Sequence, residues 1–464
     1  MTVSDATKSD VGIVGLDVIG RNAALHLAEL DFNVTAFDWG QHKTRALREQ
    51  STGAKVRVAA NLPDLMANLR QPRTLLIFGG AEAPTSLVLN QLLPELKLGD
   101  LLMDAGDSYF KETAQHKSRL AERGIQFMGL GLAGGEIGAR HGAIVMAGGA
   151  SEARERTRPL LEAMAAAVRG EPCVTYFETA PAAHFVKLCH DGVEYAQLQL
   201  LSETFDLLQR TLILTDEELH DASRAWHLGV FNGYLMEISG RVFEPDDKQT
   251  PRLVLQERLH FARNDPQGKR VAQSAWELEV PIPTIEAAVG TLRVAATERR
   301  QALLAAPFRQ PVGRFGDDAE SVLDELHGAL HAAMVITYAQ GMALLVAASE
   351  HLGFQFNLHE ISRAWRGCTR LRTSLLDDIT TALQATPDLP GLLSDDDLSQ
   401  AVMARQENLR HAVWRAHQLD AVVPGLLASL DYLDASREAW LPVNLIQVPP
   451  RPPARAAIHS EAIL

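Results

Sequence analysis

The sequence predicts an α/β Rossmann domain with a mostly parallel, doubly wound sheet, followed by a large all-α domain with an internal duplication and a C-terminal tail. Short apolar runs alternate with amphipathic stretches up to residue 179, which is typical of a parallel sheet with helices on both faces. From residue 180 to about residue 441 the pattern is helical. We therefore expect domains at residues 1–179 and 180–441, and a tail at residues 442–464.

Six apolar runs of the first domain are candidate strands. The first is followed at once by a glycine turn and by a predicted helix at residues 19–30. The six runs occupy residues 11–15, 33–37, 74–78, 101–105, 126–130 and 143–147. Their order along the chain predicts consecutive strand–helix units.

The helical half contains a repeat. The octapeptide LHDASRAW at residues 219–226 returns as LHEISRAW at residues 358–365, and a Tyr-Ala-Gln precedes each copy, at Tyr195 and at Tyr338. The two features recur 139 and 143 residues apart, so they are in register. This favours a duplicated helical unit; the alternative is a chance likeness between amphipathic helices.

Composition opposes several classes of function. A formal net charge of −14 opposes a general nucleic-acid-binding role. Long uninterrupted apolar runs are missing from the sequence, which predicts no transmembrane helix, and the first ten residues lack the apolar core of a secretory signal. Three widely spaced cysteines suit a reducing cytoplasm and form no zinc or disulfide pattern. We expect a cytoplasmic protein that acts on a small molecule, without nucleic acid, membrane or metal.

The glycine turn has the spacing of a dinucleotide-binding loop. Gly15 would make the tight turn, Gly20 would let the helix pack on the sheet, and the amides at Val18 and Ile19 would face a pyrophosphate. The middle position of the motif is Asp17 instead of a small residue. A carboxylate about 4 Å from a phosphate costs roughly 1 kcal/mol in water. We expect Asp17 to point away or to meet a cation; the alternative is a fold retained without a cofactor.

An acid stands at the end of the second predicted strand. Asp38 lies 23 residues after Gly15, where an acid typically accepts hydrogen bonds from the adenosine ribose and repels a 2′-phosphate. This favours NAD over NADP, although Lys43 lies close enough in sequence to soften the preference. The alternative for Asp38 is a solvated turn at the strand end.

One predicted helix concentrates ionisable side chains. Lys187, Asp191 and Glu194 follow an i, i+4, i+7 spacing and therefore share one helix face, with His190 beside them. Such a group is a candidate catalytic set. The alternative from the residues alone is a solvated stripe of ion pairs.

Five segments resemble the 6-phosphogluconate dehydrogenase family in order and spacing: residues 15–34, 132–149, 184–199, 268–283 and 338–345. The resemblance implies a homodimer whose tail enters the partner's active site. It also implies an NADP- or NAD-dependent oxidative decarboxylation of a β-hydroxy acid.

The resemblance assigns roles to individual residues. Lys187 corresponds to the general base that takes the hydroxyl proton, and Glu194 to the acid that protonates the enediol carbon. Asp107 lies where the family has an asparagine near the nicotinamide and the substrate. The expected substrate-site residues are Gly134, Gly135, His190, Asp191 and Tyr195, together with Asp265, Arg455 and His459, the last two in the tail.

The sequence departs from the family at several of these positions. Asp191 and Asp107 replace asparagines, and Asp265 falls where the family has a lysine that binds the substrate phosphate. Other replaced positions are Ala133, where the family has serine, Trp39, where it has arginine, and Gly79, where it has lysine. An acid in place of a phosphate-binding cation removes a pairing and adds a repulsion.

These departures lead to three hypotheses. The first is a divergent NAD-preferring dehydrogenase that acts on a hydroxy acid other than 6-phosphogluconate. The second is a family member without redox chemistry, acting as a binding or regulatory protein or as an enzyme of another reaction type. The third is a genuine 6-phosphogluconate dehydrogenase. Because Asp17, Asp107, Asp191 and Asp265 are all acidic, a site adapted to a cation, a metal or an amine is a further hypothesis.

Overall fold

The N-terminal part of the computed structural model is an α/β domain built on one eight-stranded sheet. The structure describes residues 8–80, 83–212, 214–228, 231, 266–295, 318–367, 373–438 and 441. The strand order is β10-β7-β6-β5-β4-β1-β2-β3, and every ladder is parallel except β6–β7. The strands are β1 Val11–Val14, β2 Val34–Phe37, β3 Val56–Val58, β4 Thr74–Ile77, β5 Leu101–Asp104, β6 Gln126–Ala133, β7 Ile144–Gly148 and β10 Val174–Phe177, with a separate hairpin of β8 Ala167–Val168 and β9 Glu171–Pro172. The predicted fold class is confirmed.

Helices cover both faces of this sheet. They are α1 Val18–Glu29, α2 Gln41–Gln50, α3 Leu62–Ala67, α4 Thr85–Leu92, α5 Phe110–Ala121, α6 Gly135–His141 and α7 Ser151–Met164. Neighbouring residues of β4 enter opposite cores: Leu76 packs in one cluster, while Leu75 and Ile77 pack in the other. A strand that is buried on both faces reads as a continuous apolar run, which is why the sequence pattern reveals the six predicted strands.

Two strands at the edges of the sheet were not predicted. β3 has only three residues, Val-Arg-Val, and none of them is fully buried. β10 lies at the opposite edge, where it pairs with β7 alone. The short length and partial exposure of β3 weaken its apolar pattern, which makes this strand harder to recognise from composition.

The remainder of the described chain is helical. The sheet ends at Phe177, and the first long helix begins at Ala180. The helices are α8 Ala180–Leu212, α9 Asp216–His227, α10 Gln267–Glu277, α11 Pro283–Ala295, α12 Ala319–Leu352, α13 Leu358–Trp365, α14 Ser374–Ala385, α15 Asp396–Met403, α16 Gln406–Gln418 and α17 Pro424–Arg437, with a 3-10 turn at Leu392–Ser394. The tail at residues 442–464 lies outside the described residues.

The repeat found in the sequence corresponds to a repeated long-helix and short-helix pair. α8 is followed by α9, which carries the first octapeptide, and α12 is followed by α13, which is the second. The tryptophans of the octapeptides pack reciprocally. Trp365 of the second copy meets His190 of the first long helix at a ring distance of 5.4 Å, and Trp226 meets His327 of the second long helix at 5.5 Å. This exchange of contacts supports the duplication.

Helix α12 is apolar enough to resemble a membrane span. Among the described helices, α12 alone is long and apolar enough to cross a membrane. However, 83% of its most apolar stretch is buried inside the protein. It packs closely on α8, since a Cβ at Gly341 would lie 2.4 Å from a methyl group of Val193. Its apolar composition is therefore that of a central core helix.

Close packing between α8 and the sheet places the first turns of α8 against β6. A Cβ at Gly129 would lie 2.3 Å from the carbonyl oxygen of Ala180. A Cβ at Gly131 would lie 2.6 Å from the Cβ of Lys187 and 3.1 Å from the carbonyl oxygen of Ala183. Only glycine permits this approach, so these two strand positions determine where Lys187 sits.

We predict that Gly131→Ala destabilises the protein. The new methyl group meets backbone and the base of a side chain, so the helix must shift, and overpacking of this kind costs about 1–3 kcal/mol. The apparent free energy of unfolding in urea measures the effect. Gly290→Ala in α11 is the matched control, because a Cβ there meets nothing within 4 Å and alanine favours a helix by up to about 1 kcal/mol. Equal stability of the G131A variant and the wild type would contradict the proposed constraint.

Candidate active site

The glycine loop after β1 is shaped by close backbone contacts. Gly15 has a φ of 96°, and a Cβ there would lie 2.2 Å from the carbonyl oxygen of Phe78. A Cβ at Gly20 would lie 2.0 Å from the carbonyl oxygen of Gly15. Both positions therefore require glycine, for the turn and for the packing of α1 that the motif predicted.

Asp17 stands at the N-cap position of α1 but does not cap the helix. Its side chain makes no cap hydrogen bond. Its Oδ1 instead lies 2.6 Å from the Nζ of Lys43. The expectation that Asp17 meets a cation is confirmed. Because Asp17 does not cap the helix, its side chain does not occupy the backbone amides at the N-terminus of α1, among them those of Val18 and Ile19. These amides can therefore donate to a pyrophosphate, even though the middle residue of the loop is acidic.

Asp38 ties the glycine loop to the end of β2. Its two carboxylate oxygens accept hydrogen bonds from the backbone amides of Leu16 and Gly40, each at 2.7 Å. The alternative for Asp38 is a turn at the end of the strand. Asp38 does stabilise such a turn, because it accepts a hydrogen bond from the amide of Gly40 two residues later. Each carboxylate oxygen has a second lone pair, so Asp38 retains capacity to accept from a ribose hydroxyl.

The ionisable set on α8 is buried. The Nζ of Lys187 lies 2.7 and 2.6 Å from the two carboxylate oxygens of Asp191, and the Nδ1 of His190 lies 3.2 Å from Asp191 Oδ1. Lys187, His190, Asp191 and Glu194 are each at most 9% exposed. The alternative of a solvated stripe of ion pairs is therefore wrong for these residues.

The charges in this cluster hold Lys187 in its ammonium form. Burial alone would lower the pKa of Lys187, but the charges of Asp191 and Asp107 outweigh it and raise that pKa. Burial likewise opposes ionisation of Asp191, but the charge of Lys187 lowers the pKa of Asp191. Because folding raises the pKa of Lys187, the lysine contributes its full stability at pH values below its pKa in the unfolded chain. Because folding lowers the pKa of Asp191, the aspartate contributes its full stability at pH values above its pKa in the unfolded chain. The pair stabilises the fold from about pH 4 to about pH 10.

A metal-ligand arrangement is also present in this cluster. One donor atom each from His190, Asp191 and Glu194 lie within 4.8 Å of one another. The ammonium of Lys187 already contacts both oxygens of Asp191. A metal ion would have to displace it, so we treat these residues as an ion-paired cluster.

The second half of the repeat lacks this chemistry. At the offset that relates Tyr195 to Tyr338, the positions of Lys187, Asp191 and Glu194 correspond to Leu330, Met334 and Thr337. These three counterparts are buried in the core of α12. The duplication therefore repeats the helix without repeating the ionisable set.

The loop after β5 adds a contact from another element. Asp107 lies with its Oδ1 3.5 Å from Lys187 Nζ, and its side chain is 67% exposed. Its backbone carbonyl accepts hydrogen bonds from Gln267 at 3.3 Å and Arg270 at 2.9 Å, both on α10. The guanidinium of Arg270 also lies over the ring of Tyr109 at 5.4 Å. Sequence reasoning did not identify Arg270, although it lies in a segment that carried the family resemblance.

The other predicted substrate residues lie on different elements, and three of them are outside the described part of the chain. Gly134 and Gly135, with φ values of 118° and 59°, form the turn after β6. Tyr195 lies on α8 but packs partly buried against the helical core. Asp265, Arg455 and His459 lie outside the described residues.

The hypothesis of a site adapted to an external cation stays a prediction, and the structure describes three of its four aspartates. Asp17 pairs with Lys43, while Asp191 and Asp107 lie beside Lys187. Asp17 thus has a lysine of its own, whereas Asp191 and Asp107 share one. Asp265 lies outside the described residues.

We predict that Asp191→Asn lowers the pKa of Lys187. Once the contacting negative charge is gone, burial dominates, and we expect the pKa to fall by about one to three pH units. NMR titration of isotopically labelled lysine side chains measures it. Asp107→Asn serves as a graded control, because its longer contact and greater exposure should give a smaller decrease. An unchanged lysine pKa in the D191N variant would show that Asp191 does not control its protonation.

The chain is similar to known proteins over nearly its whole length. The family model for the NAD binding domain of 6-phosphogluconate dehydrogenase matches residues 10–177, and that for the C-terminal domain of 6-phosphogluconate dehydrogenase matches residues 183–449. An NADP(+)-dependent, decarboxylating 6-phosphogluconate dehydrogenase of Bacillus subtilis is 34% identical over 95% of this chain and 94% of its own. A decarboxylating 6-phosphogluconate dehydrogenase of Synechococcus elongatus is 36% identical over 94% and 93%.

The structural comparison agrees. The 6-phosphogluconate dehydrogenase of Plasmodium falciparum superposes with a TM-score of 0.87 at 27% identity, covering 94% of this chain and 95% of that one. Its solved forms include a complex with NADP+ and a complex with 6-phosphogluconate. Both halves of the chain and their order match, and we conclude that this protein belongs to the 6-phosphogluconate dehydrogenase family.

Proposed function

We propose that this protein is an NAD-preferring oxidoreductase that oxidises a hydroxy acid other than 6-phosphogluconate, with or without decarboxylation. The observation that carries the proposal is the buried ion pair of Lys187 and Asp191, with Asp107 3.5 Å from the same ammonium. Two carboxylates around one lysine make this site acidic. The charges of Lys187, Asp191 and Asp107 sum to one negative charge, which repels a multiply charged anion. A substrate with a phosphate and a carboxylate is therefore disfavoured.

The residues of α8 supply the acid–base groups of the proposed reaction. A bound dinucleotide would accept the hydride. Lys187 can accept the proton of a substrate hydroxyl only when its amine is neutral. The charges of Asp191 and Asp107 oppose this deprotonation, because they raise the pKa of Lys187. Glu194, one turn beyond Asp191 on the same face, is the proposed acid for protonating the product carbon. We expect activity to be higher at alkaline pH, where more of Lys187 is neutral.

The proposed preference for NAD departs from the relatives whose names specify NADP. It is supported by the acid Asp38 at the end of β2 and by Trp39, which is 40% exposed beside it. Lys43, the cation expected to soften the preference, is engaged by Asp17 at 2.6 Å. A 2′-phosphate placed near Asp38 would meet its carboxylate.

The ion pair also favours a second candidate function. A lysine held as ammonium cannot act as a base, so the same contact suits a family member that binds ligand without redox chemistry. Dinucleotide binding separates the two candidates, because the non-redox protein has no need of the cofactor.

We predict that 6-phosphogluconate is a poor substrate with either dinucleotide. Steady-state turnover at pH 7 and pH 9, with NAD and with NADP, tests 6-phosphogluconate against unphosphorylated hydroxy acids. Lys187→Met is the matched inactive variant, since it keeps the apolar stem and removes the amine. Efficient turnover of 6-phosphogluconate at sub-millimolar concentration would make this chain an ordinary member of the family. Turnover of none of these compounds, together with no dinucleotide binding at millimolar concentration, would favour the non-redox candidate.

We also propose a cytoplasmic homodimer whose tail contributes to the partner's site. The support is the family resemblance and the proline- and arginine-rich sequence after residue 447, which is unsuited to a helix at its start. Sedimentation velocity should give a dimer, and deletion of residues 448–464 should reduce turnover while leaving the apparent stability of each subunit unchanged. A monomer at micromolar concentration, or full activity after the deletion, contradicts this assembly.

A further inference from the structure

Three charged side chains converge where β2 meets α2. The Nζ of Lys43, in the first turn of α2, lies 2.6 Å from Asp17 Oδ1. A Cβ at Gly40 would lie 3.2 Å from Asp38 Oδ1 and 3.4 Å from the Cδ of Lys43. Asp38 and the stem of Lys43 therefore both lie against Gly40, while the ammonium of Lys43 contacts Asp17 of the glycine loop.

The ion pair couples two parts of the proposed nucleotide site. Asp17 belongs to the loop that faces the pyrophosphate, and Lys43 belongs to the helix that follows the ribose-binding acid. We propose that Asp17 determines cofactor specificity by engaging Lys43, so that Lys43 does not bind the 2′-phosphate of NADP. This inference rests on the proposed function, because it requires that the chain binds a dinucleotide.

The charge balance explains why Asp17 discriminates between the two dinucleotides. With Asp17 in place, the charges of Asp17, Lys43 and Asp38 sum to one negative charge. The pyrophosphate is common to NAD and NADP, so repulsion by Asp17 weakens both. Only NADP has a phosphate on the ribose, so only NADP gains when Lys43 is released.

Asp17 can be replaced without removing a helix cap. The side chain of Asp17 is 51% exposed and that of Lys43 is 13% exposed, so the replaced carboxylate is the more solvated partner of the pair. Asp17 makes no cap hydrogen bond to α1, so replacing it does not remove a cap. An alanine at this position should therefore give a folded protein whose binding can be measured.

The test is a double-mutant cycle on the full-length chain. Calorimetry measures the dissociation constants of NAD and NADP for wild type, D17A, K43M and the D17A/K43M double variant. We expect D17A to tighten both, with NADP gaining about tenfold more than NAD, equivalent to about 1.4 kcal/mol. Adding K43M should abolish the extra gain for NADP, and K43M alone should leave the ratio of the two constants nearly unchanged.

Asp31→Asn provides the matched control. Asp31 forms a similar pair with Lys55 at 2.7 Å, at the turn between α1 and β2, and it is 86% exposed. Its replacement should leave both dissociation constants unchanged. A parallel change in D31N would show that surface charge in general, and not the Asp17–Lys43 pair, controls binding.

The outcomes separate this inference from the proposed function. Equal tightening of NAD and NADP in D17A, or an NADP gain that persists without Lys43, overturns the inference and leaves the proposed function standing. If wild type binds neither dinucleotide while D17A binds NADP, Asp17 blocks binding without setting a preference, and the inference about specificity is overturned. If all four proteins are folded by circular dichroism and bind neither dinucleotide at millimolar concentration, the proposed redox function fails and the inference fails with it.

Discussion

The close approach of α8 to β6 is the constraint on which the candidate site depends. Glycines at 129 and 131 bring the backbone of α8 against the strand, and the contact at Gly131 is with the Cβ of Lys187 itself. The lysine is buried because of where its helix must pack. Burial of an ammonium is costly unless a counter-charge is supplied, so the electrostatics of the site follow from a packing requirement.

Asp191 meets that requirement one helical turn away. Both of its oxygens contact the ammonium, and the nearby imidazole of His190 holds one of them. The arrangement stabilises the ionised forms of both partners, but it opposes the loss of a proton by the lysine. The ion pair that stabilises the cluster therefore also opposes the use of Lys187 as a base.

The cofactor loop shows a related compensation. An acid at the middle of the glycine motif would oppose a pyrophosphate, but Lys43 from α2 meets it at 2.6 Å. Both described sites thus place an acid within 2.6 Å of a lysine of the same chain. Together they give a chain with the family's fold in which acids of the glycine loop and of α8 are paired with lysines of the same chain.

Local spacing along the chain determines many features of this protein. Apolar runs reveal six buried strands because both faces of each are covered, and the glycine spacing identifies the loop because Gly15 and Gly20 admit no side chain. The i, i+4 spacing places Lys187 beside Asp191, since neighbours on a helix face follow from helical geometry alone. The octapeptide repeat likewise predicts two equivalent helices.

Only the tertiary structure decided which distant residues meet. The pairing of Asp17 with Lys43, the approach of Asp107 to Lys187 and the contact of Arg270 with the loop after β5 each join separate elements. Such contacts depend on how loops run and how helices pack, which sequence spacing does not encode. The burial that excludes a solvated stripe on α8 has the same origin. Sequence by itself determined the elements and the residues within each; their packing determined the charges that those residues experience.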